Sequence, residues 1–160
     1  MIELNSKTQQ DFLNREWVQK LLDAGVDMSD AKYALYRLKD YLSDIIVYQG
    51  TYFADDRYYN GIKVENIVPT YTVSELLYKL HEWIYPTVDG VKYSGGLCLW
   101  KDAPFYPAQY RLKDKDDKCN EDIFFCPCEY PIESLASLLI QCHTHDIGIP
   151  NKDTGNISDK

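Results

Sequence analysis

The sequence predicts an α+β domain: a helical hairpin, a small antiparallel β-meander packed against helices, and a C-terminal helix. Three observations predict it. Apolar residues recur at threes and fours in four segments, the spacing of a helix face. The dipeptides Asn60-Gly61 and Asp89-Gly90 interrupt short β-prone runs, as hairpin turns do. The segments follow one another as two helices, a small β excursion, a helix, a meander and a helix. That order fits helices packed on one face of a sheet.

The first helix is expected around Phe12, Leu13, Trp17, Val18, Leu21 and Leu22, with Thr8 and Asp11 at capping spacing and Gly25 as its stop. Ser29 is placed to cap a second helix, whose face would be Ala31, Ala34, Leu35, Leu38, Leu42, Ile45 and Ile46, with Gly50 following. The short link between the two predicts an antiparallel pair. From Tyr48 to Tyr71 the chain becomes tyrosine-rich, and Asn60-Gly61 predicts a hairpin with arms Tyr58–Tyr59 and Ile62–Val64.

Pro69 precedes a third helix. Thr72 and Glu75 match the capping box, in which each side chain satisfies a free backbone N–H. Val73, Leu76, Leu77, Leu80 and Ile84 would form its buried face, and Pro86 would end it. A β region follows. Asp89-Gly90 marks a turn, Leu97 to Trp100 an apolar run, and Tyr110 and Leu112 alternate with Arg111 and Lys113 as in a half-buried strand. The charged stretch 113–122 reads as a hairpin loop and Ile123 to Cys128 as a third strand. Pro131 suits a first helical position, and Ile132, Leu135, Ala136, Leu138, Leu139 and Cys142 predict a last helix ending near His145.

The chain has 160 residues, 45% hydrophobic and 26% charged, which excludes a largely disordered, collagen-like or multi-pass membrane chain. One domain over 1–149 is expected, with 150–160 a polar, disordered tail. The 25 acidic residues outweigh 17 Lys and Arg, for a formal charge of -8. A net negative chain without a run of bases does not concentrate on phosphate backbones, so nucleic acid is disfavoured as a partner. No apolar run reaches the roughly 20 residues of a membrane helix. The opening MIELNSKTQQDF lacks a basic start followed by an apolar stretch, so a cytoplasmic location is expected, with the five cysteines as free thiols.

Two constellations carry potential chemistry. Cys119, Cys126, Cys128 and Cys142, with His143 and His145 close by, contain zinc-type ligands. Cys126 and Cys128 would share one face of a strand. Their spacing is not that of zinc knuckles, and buried cysteine also serves as a small hydrophobe. Cys142 and His145 stand at i, i+3, but no oxyanion-hole motif or orienting third group accompanies them. The acidic stretches lack the glycine and terminal glutamate of a calcium loop, and Gly95-Gly96 lacks the lysine and helix of a phosphate loop. Neither a catalytic motif nor a resident cofactor is therefore expected, zinc being the alternative.

The fourteen tyrosines are the compositional anomaly. Tyr48, Tyr52, Phe53, Tyr58, Tyr59 and Tyr71 cluster in sequence, and tyrosine offers a broad contact area with a polar tip at interfaces. The expectation is a small non-enzymatic protein-interaction module that uses these residues against a protein partner or in a homodimer. A zinc protein using the late cysteines is the alternative. An acidic inhibitor or DNA mimic, its carboxylates arrayed on one face, is a further one.

The segments REWVQKLLDAGVD, VPTYTVSELLYKLHEWI, GGLCLW and YPIESLASLLIQC together resemble small uncharacterised proteins of Bacteroidetes genomes and their phages. Those proteins have a short opening helix, a helix ending in Trp-Leu, a short meander and a closing helix. Here the matching stretches are Trp17 to Asp27, Pro69 to Ile84 and Tyr130 to Cys142, with Trp83-Ile84 in place of Trp-Leu and an extra expected helix from Ser29 that the pattern lacks. The resemblance implies a cytoplasmic accessory protein of a prophage or mobile element and assigns no activity to any residue.

Overall fold

Helix α1 (Arg15–Asp23) starts where Asn14 accepts the backbone N–H of Trp17 at 3.0 Å. It ends in a Schellman motif: Val26 N–H reaches Leu21 O and Gly25 N–H reaches Leu22 O, with Gly25 at φ +89°. The glycine stop is thus where the sequence places it, while the cap is Asn14 and not the upstream Thr8 or Asp11. The computed structural model describes residues 2–4, 10–40, 43–48, 58–59, 61–121 and 123–145, and of residues 2, 3, 58 and 59 the backbone alone. Residues 150–160, expected as a tail, lie outside the described residues.

The expected second helix is two strands. β2 (Tyr33–Leu38) and β3 (Asp44–Tyr48) pair antiparallel from Tyr33↔Tyr48 to Arg37↔Asp44. The physical reason is burial on both faces. Leu35 and Ile46 point into the main core, whereas Ala34, Tyr36, Leu38 and Val47 build a second cluster with Val64 on the opposite face. Strands covered on both sides read as continuous apolar runs, and such runs also satisfy a three-and-four template. Tyrosines and β-branched Ile45, Ile46 and Val47 tip the balance to strand. Asp40, at φ +70°, turns the chain between them.

The first sheet has the order β1 (Ile2–Glu3), β3, β2, β5 (Ile62–Thr70), β4 (Tyr58–Tyr59), with every pair antiparallel. The β4–β5 pairing, Tyr59↔Ile62 and Tyr58↔Lys63, joins the arms that the Asn60-Gly61 dipeptide predicts.

Helix α2 (Val73–Lys79) carries the capping box. Thr72 Oγ1 accepts Glu75 N–H at 3.3 Å, and Glu75 Oε1 accepts Thr72 N–H at 3.1 Å. It stops earlier than the apolar spacing suggests. Leu80 is extended, and β6 (Trp83–Ile84) leaves the helix to pair with β9 (Ser94–Leu99). Asp89 and Gly90, both at positive φ, turn β7 (Thr87–Val88) into β8 (Val91–Lys92).

The second sheet places β6, β9 and β10 (Ala108–Lys113) side by side. β11 (Cys119–Asn120) and β12 (Phe125–Cys126) both lie along the far edge of β10. The stretch 113–122 therefore holds a strand as well as a turn. Helix α3 (Pro131–His145) begins at the proline and buries Ile132, Leu135, Ala136, Leu138, Leu139 and Cys142. It packs on α1, α2, β10 and β12, and α1 also packs on β5, so the helices connect the two sheets through one core. The α+β class holds; the helical hairpin is replaced by a β-hairpin.

Candidate functional site

The tyrosines singled out by sequence do not form one surface among the described residues. Tyr71 is 1% exposed and belongs to the core. Its hydroxyl donates to Asp30 Oδ1 at 2.6 Å, and Lys79 lies 5.6 Å above its ring. Burial, followed by the hydrogen bond to Asp30, holds its phenol well above the usual pKa. Tyr48 is 49% exposed, but its ring meets Tyr33 edge-on at 5.4 Å, and Tyr33 meets Phe12 at 5.1 Å. The backbones of Tyr58 and Tyr59 form β4. Tyr52 and Phe53 lie outside the described residues.

The late cysteines divide by environment. Cys119 is exposed, Cys128 half-buried, and Cys126 and Cys142 are each 2% exposed. Burial pushes the Cys126 thiol up to about 11 and the Cys142 thiol up to about 12, and raises Cys128 as well. Gln141 Nε2 donates to Cys126 Sγ at 3.1 Å. Cys126 of β12 and Cys142 of α3 are buried thiols held in the protonated form by their burial. Among the described residues, no group of three or more His, Cys, Asp or Glu side chains gathers closely enough to hold a metal ion.

Several carboxylates are committed to the fold. Asp44, 6% exposed, accepts Arg15 Nη2 at 2.7 Å and Arg37 Nη2 at 3.3 Å. Asp30 pairs with Lys79 at 3.1 Å. Asp114 accepts the backbone N–H groups of Asp116 and Lys118. A groove of about 480 Å³ lies beside α2, lined by Asp30, Lys32, Ser74, Glu75 and Tyr78. Its two carboxylates are the ones already engaged by Tyr71, Lys79 and the capping box.

A different surface gathers exposed aromatic rings. Strand alternation sends Ala108, Tyr110 and Leu112 of β10 into the core and Gln109, Arg111 and Lys113 to the other face. The register sets Trp83, Gly96 and Arg111 in one row, and Cys98, Gln109 and Phe125 in the next. Trp83 is 51% exposed and Phe125 40%. Trp100 spans the rows: its ring lies 6.0 Å from Phe125, and the Arg111 guanidinium stands 5.2 Å from it.

Gly96 makes room for this arrangement. A Cβ there would stand 3.3 Å from the Trp83 ring, so a larger residue would push the indole slightly away from β9. Gly95 faces inward, where a Cβ would meet Leu112 Cδ2 at 2.5 Å. The sequence carries signals for this face: two adjacent glycines, the outward parity of Arg111 and two of the chain's three tryptophans. The assignment of Trp83 to a helix hid them.

Comparison with family models, curated proteins and solved structures returns no match. Among the described residues, no helix is long and apolar enough to cross a membrane.

Proposed function

We propose that this chain is a small cytoplasmic, non-enzymatic protein-interaction module whose contact surface is the outer face of the second sheet. The exposed Trp83 and Phe125, with the half-buried Trp100 between Phe125 and the Arg111 guanidinium, carry the reading. Tryptophan and arginine are the residue types that dominate interface energetics, and contiguous exposed rings mark contact surfaces. The rings rest on a rigid antiparallel sheet, so a partner would lose little entropy to their ordering. The reading keeps the interaction role and moves it from the tyrosine segment to the sheet.

The test is affinity purification of the full chain from its native cells with lysine cross-linking. Cross-links to one stoichiometric partner are expected at Lys113 on the face and at Lys101, which follows Trp100 in sequence, and are expected to vanish in Trp83→Ala. Cross-links centred on Lys39 and Lys63 of the first sheet and indifferent to Trp83→Ala would overturn the assignment.

A further inference from the structure

The outer face has a charge sign opposite to that of the whole molecule. The chain has 25 acidic residues against 17 Lys and Arg. Yet the outward positions of β6, β9, β10, β11 and β12 include Arg111 and Lys113 and not one carboxylate. Among the described residues, neither Arg111 nor Lys113 joins a salt bridge. Asp114, next in sequence, turns its carboxylate to its own loop instead. The Arg111 guanidinium stands 5.2 Å over the Trp100 ring, a contact with its π face that uses none of its five N–H donors in an ion pair.

Resting on the interaction face proposed above, we propose that its partner is an acidic, apolar peptide segment of another protein. A carboxylate of that segment would be taken by the guanidinium fork of Arg111, since Arg matches a carboxylate with two parallel N–H···O bonds. A neighbouring apolar side chain would seat against Trp83 and Phe125. Two bases on the face match one or two carboxylates. A polyanion such as single-stranded nucleic acid needs many phosphates neutralised, and a chain at -8 repels it beyond the face. The same net charge disfavours self-association through this face, because each copy would bring its full negative charge to the other.

Three fluorescein-labelled octapeptides test this on the full chain by anisotropy. They alternate Leu with Glu, Leu with Gln, or Leu with Lys, and a labelled oligothymidylate serves as the nucleic-acid probe. The Leu–Glu peptide is expected to bind at least about tenfold tighter than the Leu–Gln peptide, a difference of about 1.4 kcal/mol. Arg111→Gln should abolish that preference, Arg111→Lys should keep part of it, and Trp83→Ala should weaken both peptides. Circular dichroism of each variant separates a lost contact from a lost fold. Equal binding of the Leu–Glu and Leu–Gln peptides with Trp83 still required would overturn the acidic partner and leave the interaction face standing. Preference for the Leu–Lys peptide or oligothymidylate would overturn the acidic-peptide assignment in favour of that ligand. No Trp83-dependent binding of any probe would overturn it too, and the cross-linking experiment would then decide the face itself. A dimer dissociated by Trp83→Ala in sedimentation would replace the peptide with a second copy.

Discussion

The two sheets use apolar side chains in opposite ways. In the first, β2 and β3 are covered on both faces, with Leu35 and Ile46 in the main core and Ala34, Tyr36 and Val47 in a second cluster. In the second, the inner face of β9 and β10 joins the main core, and the outer face buries Gln109 but presents Trp83, Phe125 and Arg111 beside Trp100. The first arrangement converts hydrophobic surface into stability, at about 25 cal/mol per Å² removed from water. The second leaves part of that free energy unspent in the free molecule, where it is available for association. Equal substitutions in the two sheets should therefore have unequal consequences.

The largest difference is expected between two leucines. Leu35 is fully buried in β2, and Leu99 is 40% exposed in β9. Leu35→Ala should lower unfolding free energy by about 3 kcal/mol, the sum of lost transfer energy and a residual cavity. Leu99→Ala should cost less than about 1 kcal/mol. Urea denaturation of both variants measures this, and similar midpoints would break the contrast between the sheets.

The legibility of these regions in the sequence follows the same division. Local chemistry was readable wherever it acts on its own neighbours: Gly25 at the end of α1, the Thr72–Glu75 box, the Asn60-Gly61 and Asp89-Gly90 turns and Pro131 at the start of α3. The β2–β3 hairpin was not, because covering both faces removes the alternation that distinguishes a strand from a helix. Trp83 illustrates a second cause. Helical spacing continues past Lys79, but pairing of Trp83–Ile84 with Gly95–Gly96 is a long-range choice that no local window contains. The outer face of the second sheet is illegible for that reason, and the tyrosine clustering places Tyr71 at the surface although its ring fills the core.

A carboxylate should tie the first sheet to α1 more strongly than any ion pair ties the second. Asp44 is 6% exposed and serves Arg15 of α1 and Arg37 of β2 together. Removing it leaves both guanidinium groups without their anion. Asp44→Ala is expected to cost about 2 kcal/mol, below the value for a fully buried pair because both arginines retain some contact with water. An Arg111→Ala variant in the second sheet should cost less than about 0.5 kcal/mol. Thermal unfolding of both would sharpen the comparison, and equal losses would contradict it.

The thiols on the core side of β12 and on α3 give the second sheet's buried face a signature in pH. Cys126 and Cys142 have their folded pKa values raised by burial from 9.0 to about 11 and about 12. Well below pH 9 both states hold these protons and the thiols contribute no pH dependence. As pH rises further the unfolded chain ionises first, so stability falls until the folded values are passed. A loss of about 1–2 kcal/mol is expected between about pH 9 and about pH 10, much of it absent in a Cys126→Ala, Cys142→Ala double variant. The exposed Cys119 should react with a thiol reagent in the native state, while Cys126 and Cys142 should react only on unfolding.

The smallest expected effect separates the two faces of a single strand. Gly95 and Gly96 are adjacent in β9 and point to opposite sides. Gly95→Ala puts a methyl group 2.5 Å from Leu112 Cδ2, inside the core, where the neighbours must shift. About 1 kcal/mol of stability should be lost, at the low end for overpacking because the clash is with a side-chain methyl. Gly96→Ala puts the same group 3.3 Å from an indole that is already half in water. The ring can lift, so stability should change by less than about 0.5 kcal/mol. Tryptophan emission should shift slightly toward the red as the Trp83 ring is pushed outward, and probe binding should weaken in step. If Gly96→Ala instead destabilises as much as Gly95→Ala, the Trp83 ring is part of the fold's own packing. The free energy that would otherwise be available to a partner would then already be used within the monomer.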